Sequence, residues 1–380
     1  MQLRILNALA EVPRADWDRL AGQDPFLRWD YLEALERSGA VSADTGWHPR
    51  HLVLEHAGEV TAALPLYLKD HSWGEFVFDF AWADAYRQAG LDYYPKLVAA
   101  VPFTPVPGAR LLLAETTNAA AAATRLLAAA RSLAGELDAS SLHLLLPGEN
   151  QLDALRTAGL SVRQDCQFHW FDAGYGDFEG FLGALKADKR KKFRRERRRV
   201  QEAGIRFEWL RGEAIDTGLM EEIYDFYASS FLRRGMDPYF PPAFWALLLE
   251  RMPENIRVVL ARKNGRAVAA AIFFLGGGVL YGRYWGCLED YHSLHFETCF
   301  YQGIELALAE GCHRFEPGAQ GEHKLRRGFH PVPTWSAHWL AHPAFARAID
   351  AWLARERQHV DAYIEAARQH LPFRHDDGAA

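Results

Sequence analysis

At 380 residues the chain exceeds what one hydrophobic core ordinarily supports, and with 49% of its residues apolar it has the material for two packed domains. Its four cysteines, Cys166, Cys287, Cys299 and Cys312, form no C-x-x-C pair and are too sparse for a disulfide scaffold, which implies a reducing compartment. Net charge is −6, yet the stretch from Lys186 to Arg199 holds ten basic and two acidic residues, so positive charge is concentrated on one segment.

The N-terminal twenty residues lack the basic start, apolar middle and small-residue cleavage site of a secretory signal. The longest apolar stretch, around Val268 to Tyr281, is interrupted by Gly276, Gly277 and Gly278 and is too short to span a bilayer. A soluble, cytoplasmic protein is expected.

In chain order, Leu3 to Leu6 reads as a strand, and Arg14 to Leu20 and Trp29 to Leu35 carry helical spacing. His51 to His56, a Gly58-Glu59 turn and Val60 to Leu68 form a hairpin signal. Glu75 to Trp82 alternates like a strand, and Leu91 to Val101 has helical spacing before Pro102, Pro105 and Pro107 break the chain. A strand at Ala109 to Ala114, a helix at Asn118 to Leu137, a strand at Leu142 to Leu146, a short helix at Leu152 to Ala158 and a strand at Val162 to Phe171 follow. This mixture points to α/β or α+β.

The second half repeats the order. Ile205 to Leu210 is strand-like, and Glu221 to Phe231 and Phe244 to Arg251 are helical. Ile256 to Arg262, the Asn264-Gly265 turn and Ala267 to Leu275 make a second hairpin, with Val279 to Trp285 opposite Glu75 to Trp82. Phe296 to Ala309 is a helix and His313 to Glu316 a strand. Two copies of one module are expected, 1–172 and 205–380, joined by a basic linker helix in 173–204.

That linker, FLGALKADKRKKFRRERRRV from Phe181 to Val200, places Leu182, Leu185, Phe193 and Val200 near one face and fills the rest with cations. Lys189, Arg190, Lys191, Lys192, Arg194, Arg195 and Arg198 are the candidate anion contacts. A long polyanion such as tRNA, an anionic membrane surface and plain solvation of the helix all fit this pattern.

Chemistry concentrates in EPGAQGEHKLRRGF, Glu316 to Phe329, directly after the predicted strand. Gly318, Gly321 and Gly328 let a substrate approach the backbone. Glu316 or Glu322 can accept a proton from an attacking amine, and Lys324, Arg326 and Arg327 can hold an anion or a developing oxyanion. A solvated charged loop is the plain alternative. Cys287, His292, His295 and Cys299 form a C-x4-H-x2-H-x3-C set that matches no standard zinc module, and no metal is expected there.

The order strand, two helices, three antiparallel strands, helix, strand resembles the GNAT acyltransferase fold, and its tandem repetition resembles the Fem aminoacyltransferases. HSWGEFVFDFAWADAY (His71 to Tyr86), GLDYYPKL, VPFTPVPG, WGCLEDYHSLHFETCFYQGIELA (Trp285 to Ala307) and the 316–329 segment through HPVPTWSAHWL are similar to the bacterial family of predicted N-acyltransferases assigned to peptidoglycan biosynthesis/recognition. The resemblance implies an α+β fold of two tandem GNAT-like modules with mixed sheets. It also implies an acyl or aminoacyl transfer to the amine of a cell-wall precursor or other small molecule. Aminoacyl-tRNA would be a co-substrate, with no permanently bound cofactor. Fem enzymes carry an FK-x-GF-like element, and LRRGF puts Arg326 in the place of its lysine, where only an electrostatic role is open. Glu316, Glu322, Lys324 and Arg326 are therefore the expected catalytic set. Trp82, Asp84 and Tyr86 in the first module are the expected substrate contacts, with Tyr284, Trp285, His292, His295, Gln320, His323 and Arg327 in the second. Acyl-CoA is the alternative donor, although CLEDYHSLHFE stands where a coenzyme A enzyme would carry its glycine-rich pyrophosphate turn. A non-catalytic wall-binding or tRNA-binding module is the remaining alternative.

Overall fold

The computed structural model describes residues 2–115, 118–319 and 321–374. It divides into two compact units, and neither is continuous in sequence. Unit 1 comprises Met1–Cys166 and Pro333–Ala362, and unit 2 comprises Gln167–Val332 and Tyr363–Ala380. The expected boundary at 172/173 is displaced to 166/167, and 333–362, assigned from sequence to the second module, packs in the first. The basic segment is part of unit 2 and not a free linker.

Unit 1 runs β1 (Gln2–Leu6), α1 (Arg14–Ala21), α2 (Trp29–Arg37), β2 (Trp47–Pro49), β3 (His51–His56), β4 (Glu59–Leu64), β5 (Tyr67–Lys69), α3 (Phe80–Gln88), β6 (Lys96–Ala99), β7 (Leu112–Leu113), α4 (Ala119–Glu136), β8 (Ser141–Leu145) and α5 (Leu152–Thr157). β1-β3-β4-β7 form an antiparallel sheet. A second sheet orders β2-β5-β6-β8 and is completed by β15 (His330–Leu340), which runs antiparallel to β8. Asn118 caps α4 by accepting from Ala121 N at 3.1 Å, and the helix buries Ala123, Leu126, Leu127 and Ala130 in the core.

Two sequence expectations fail here for one reason. Glu75 to Trp82 is not a strand, and Leu91 to Val101 is not a helix: Pro95 opens β6, and α3 begins at Phe80. The alternation in EFVFDFAW is real but inverted, with Glu75, Val77 and Asp79 buried and Phe78 and Phe80 exposed. The acids turn inward because Lys96, fully buried on β6, donates to Glu75 Oε2 at 2.8 Å and to Asp79, while also bonding Ser72 Oγ at 2.8 Å. A buried cation requires such partners.

Unit 2 follows from β9 (Ser161–Phe171), which begins in unit 1: α6 (Phe178–Ala184), α7 (Ala187–Glu202), β10 (Ile205–Arg211), α8 (Thr217–Leu232), α9 (Pro242–Arg251), β11 (Ile256–Lys263), β12 (Arg266–Gly276), β13 (Val279–Cys287), α10 (Leu294–Phe296), a π-turn at Glu297–Tyr301, α11 (Gln302–Ala309) and β14 (Arg314–Glu316). The long α12 (Pro343–Arg368) lies mostly in unit 1 and ends in unit 2. The sheet order is β10-β11-β12-β13-β14-β9. Asn264 and Gly265, both at positive φ, turn the β11–β12 hairpin as the sequence implied. The expected single helix from Phe181 to Val200 is two helices. Leu185 and Lys186 are extended, and Lys186 N donates to Pro372 O at 2.8 Å, so a tertiary contact replaces a helical one.

Candidate active site

β13 creates the site by diverging from its neighbour. It pairs in parallel with β14 only over Val279, Leu280 and Tyr281, and its remaining residues, Gly282 to Cys287, leave β14 behind. A cavity of about 160 Å³ occupies this opening, walled by Gly282, Arg283, Tyr284 and Trp285 of β13, His295, Cys299 and Phe300 of the following helical segment, and Pro317 just after β14. The π-turn at Glu297–Tyr301 contributes Cys299 and Phe300; such turns recur at functional sites because they re-aim side chains within a helix.

The glycine-rich segment folds as a turn and a short 3-10 helix, Glu322–Arg327. Gly321 (φ 116°) precedes it and Gly328 (φ 86°) closes it, conformations that a side chain resists. Lys324 points inward: it is 3% exposed, and its Nζ donates to Gly318 O at 2.6 Å. Burial, followed by repulsion from Arg283, lowers its pKa to about 7, with Cys299 acting weakly in the opposite direction. Arg327 is also buried. Its guanidinium lies 3.4 Å from the centroid of the Phe296 ring and donates to Glu196 Oε2 at 3.3 Å and to His323 O at 3.0 Å. Glu196 in turn accepts from Tyr301 Oη. Arg327 is therefore an anchor that fixes the segment beside the π-turn.

His295, Phe300 and His323 pack edge to face, and burial, then His323, holds His295 at about 4, a neutral imidazole at physiological pH. Glu316 is buried, pairs with Arg314 at 2.9 Å and lies 3.9 Å from His169. Tyr284 sits among Tyr227, Phe240 and Trp245, and burial pushes its phenol up to about 12.

The sequence-derived set divides in this geometry. Tyr284, Trp285 and His295 line the cavity; Glu316 precedes its Pro317 wall in sequence, His323 packs on its His295 and Phe300 walls, and Lys324 and Arg327 are buried outside its lining. Arg326, placed by LRRGF in the lysine position, is exposed and makes no hydrogen bond or ion pair among the described residues, so Lys324 is the cation held inside. Glu322 is exposed and accepts from Tyr363 Oη at 2.9 Å. His292 is exposed beside Arg199 at 3.3 Å, away from the cavity wall. Gln320 lies outside the described residues. In unit 1 Trp82 and Tyr86 are core, packed with Tyr93, Leu340 and Leu353, because α3 turns them inward. Asp84 is exposed and pairs with Arg87 at 2.8 Å.

Arg283 and Glu196 escaped sequence reasoning, and Cys299 entered it only through the C-x4-H-x2-H-x3-C set. Arg283 had a signal, a charge between glycines in the apolar run LYGRYWG; Glu196 was hidden among the cations of α7.

The basic helix is partly self-neutralised. Lys192 pairs with Glu196, Lys189 with Asp188, Arg194 with Glu179 and Arg198 with Glu202, while Arg197 bridges Glu297 and Glu305. Arg190 bonds Leu185 O. Lys191 and Arg195 are exposed and make no ion pair among the described residues. Cys287 lies by Arg233, so the C-x4-H-x2-H-x3-C set does not converge, and among the described residues no group of three His, Cys, Asp or Glu side chains is placed to hold a metal ion. Among them, too, no helix is long and apolar enough to cross a membrane.

The architecture is α+β, with helices packed on the sheets of each unit. The chain belongs to the FemAB-like family, described as peptidoglycan biosynthesis/recognition, whose model matches residues 8–375. Among solved structures it is similar to FemX, with 11% identity over 92% of this chain and 100% of that one and a TM-score of 0.57. It is also similar to the C-terminal domain of a putative lysylphosphatidylglycerol synthetase from Agrobacterium fabrum, at 12% identity, 91% and 97% coverage and TM-score 0.56. A third is L-PGS from Bacillus licheniformis, at 10% identity, 84% and 95% coverage and TM-score 0.51. At these identities the likeness is one of fold. None of the curated proteins matches the chain.

Proposed function

We propose that the protein is an N-acyltransferase that moves an aminoacyl group from aminoacyl-tRNA to an amine of a peptidoglycan precursor or related small molecule. The observation that carries this reading is Lys324, a buried lysine beside the opening between β13 and β14, with one N–H given to Gly318 O and a pKa of about 7. An ammonium has three donors, so two remain for a carbonyl oxygen. As the amine nitrogen attacks the ester carbon, the new C–N bond forms and the C–O bond to the ribose breaks. The ammonium stabilises the oxyanion between these events and gives a proton to the departing alkoxide, which a pKa near 7 favours. Glu316, oriented by Arg314, takes the proton released by the amine. No resident cofactor is needed for this chemistry. The exposed cations of α7 supply phosphate contacts for the donor, and such a donor places the reaction in the cytoplasm.

The test is transfer itself: aminoacyl-tRNA or acyl-CoA is mixed with the protein and candidate wall-precursor amines, and products are followed by mass spectrometry. Product from acyl-CoA alone would replace the donor. Saturable binding of a precursor without product from any donor would identify a non-catalytic recognition module.

A further inference from the structure

A groove of about 820 Å³ lies along α8 and α9 of unit 2. Its floor is apolar, with Met220, Trp245 and Leu249, and its rim carries Asp216, Glu221, Asp225 and Glu250; among the described residues no lysine, arginine or histidine lines it. Asp216 is committed to capping α8, accepting from Leu219 N at 2.8 Å. The other three carboxylates are exposed, with no hydrogen-bond or ion-pair partner among the described residues. Glu221 and Asp225 stand four residues apart on one helix, where like charges repel. The neighbouring Glu222, absent from the groove lining, reaches Arg262 at 3.9 Å. The acid beside the groove thus finds a cation, and those on its rim do not.

The volume falls in the range of small-molecule sites, roughly 300–1,000 Å³, which are mainly apolar with a few placed polar groups. We propose that this groove binds an amphipathic organic cation, an ammonium group on an apolar body. The ammonium meets the Glu221, Asp225 and Glu250 carboxylates, and the body covers Met220, Leu249 and the part of Trp245 that lines the groove. Trp245 contacts Tyr284 with ring centroids 5.9 Å apart, so the groove adjoins the β13 cavity without sharing its other walls. The inference does not depend on the transferase reading, because its readout is binding without a donor.

The test is calorimetric titration of the full chain with three probes of similar shape, phenethylammonium, phenethyl alcohol and 3-phenylpropionate. Phenethylammonium is expected to bind about tenfold more tightly than the alcohol at low salt, with the carboxylate weakest and the preference shrinking in 0.5 M salt. The triple variant Glu221→Gln, Asp225→Asn, Glu250→Gln should remove that preference while keeping alcohol affinity. Ala246→Trp, a change at an exposed groove position, should block both probes in a protein with unchanged circular dichroism. Equal binding of ammonium and alcohol, no saturable binding at all, or a preference that survives the triple variant would each overturn the proposal; the last would assign the ammonium to another site.

Discussion

His143 Nδ1 and His338 Nδ1 lie 2.6 Å apart in the core of unit 1, one ring donating and the other accepting. Each ring's second nitrogen is also engaged, His143 Nε2 with Ser141 Oγ at 2.7 Å and His338 Nε2 with Ser336 Oγ at 2.8 Å. Tyr93 Oη lies 3.3 Å from His143 and donates to Asp79 at 2.6 Å, which leads back to Lys96. Burial, then Lys96, lowers His143 to about 3; burial, then His143, holds His338 far down as well. Both rings are neutral, and the pair joins β8 to β15, strands almost 200 residues apart in sequence.

His338→Leu should therefore destabilise the protein by about 1–3 kcal/mol, the cost of leaving the buried His143 nitrogen without its partner. Lys96→Met should cost more, about 3–5 kcal/mol, because the ionised Asp79 would remain buried without its counter-charge and Glu75 without its donor. Urea denaturation of both variants checks the order; a smaller loss for Lys96→Met would show that the acids escape to solvent.

Stability should fall as the solution is acidified from pH 6.5 towards 5. His143, His169, His295 and His338 stay unprotonated when folded, the first two at about 3 and His295 at about 4, whereas unfolded histidines bind protons near 6.5. The unfolded state takes up protons on these four groups that the folded state does not, about half of them already at pH 6.5 and nearly all by pH 5. Glu75 acts in the opposite sense: burial raises it to about 7, so it holds a proton in the folded state that the unfolded state releases above about 4.5. The balance stays on the side of the unfolded state, so stability is lost on acidification by a few kcal/mol per pH unit, on the order of 1.4 per proton. Denaturation curves at pH 6.5, 6.0 and 5.5 measure the slope, and a flat profile would contradict the buried neutral histidines.

Lys324→Met should keep the fold and lose roughly 100-fold or more in the single-turnover rate, the scale of one preorganised oxyanion donor. Arg326→Met should turn over nearly normally, since Arg326 is exposed. In the wild type the chemical step should weaken as pH rises through about 7, where Lys324 loses its proton; in Lys324→Arg that limb should disappear. A pH profile identical in wild type and Lys324→Arg would exclude the ammonium from the reaction.

Replacing Lys191, Arg194, Arg195 and Arg198 with glutamine should weaken tRNA binding and flatten its salt dependence, because fewer counterions are released. Electrophoretic shift over a salt series gives the slope. An unchanged slope would assign these cations to solvent, and selective loss of binding to anionic vesicles would assign them to a membrane surface.

The hairpins and most helices were legible because their signals are local: the Asn264-Gly265 turn, the helical spacing of Arg14 to Leu20 and the alanine- and leucine-rich run of α4. The failures share a cause. Whether the alternation of Glu75 to Phe80 faces inward or outward depends on Lys96, about twenty residues away, and the break at Leu185 depends on Pro372. The candidate segment was visible as a cluster of charges among glycines. Which cation turns inward was not, because Lys324, Arg326 and Arg327 differ only in their angular position on one short 3-10 helix.

The return of 333–362 to unit 1 has a consequence for synthesis on the ribosome. Chains emerge from the N-terminus at roughly 5–20 residues per second, and domains tend to fold as they appear. Here β8 emerges nearly 190 residues before the strand that flanks it, so the edge facing β15 stays open while most of unit 2 is made. During that interval Leu142, Leu144 and His143 stand on an unpaired strand edge, the kind of surface that recruits other chains or chaperones. A gene cut at the apparent midpoint would hold the first unit in this state permanently.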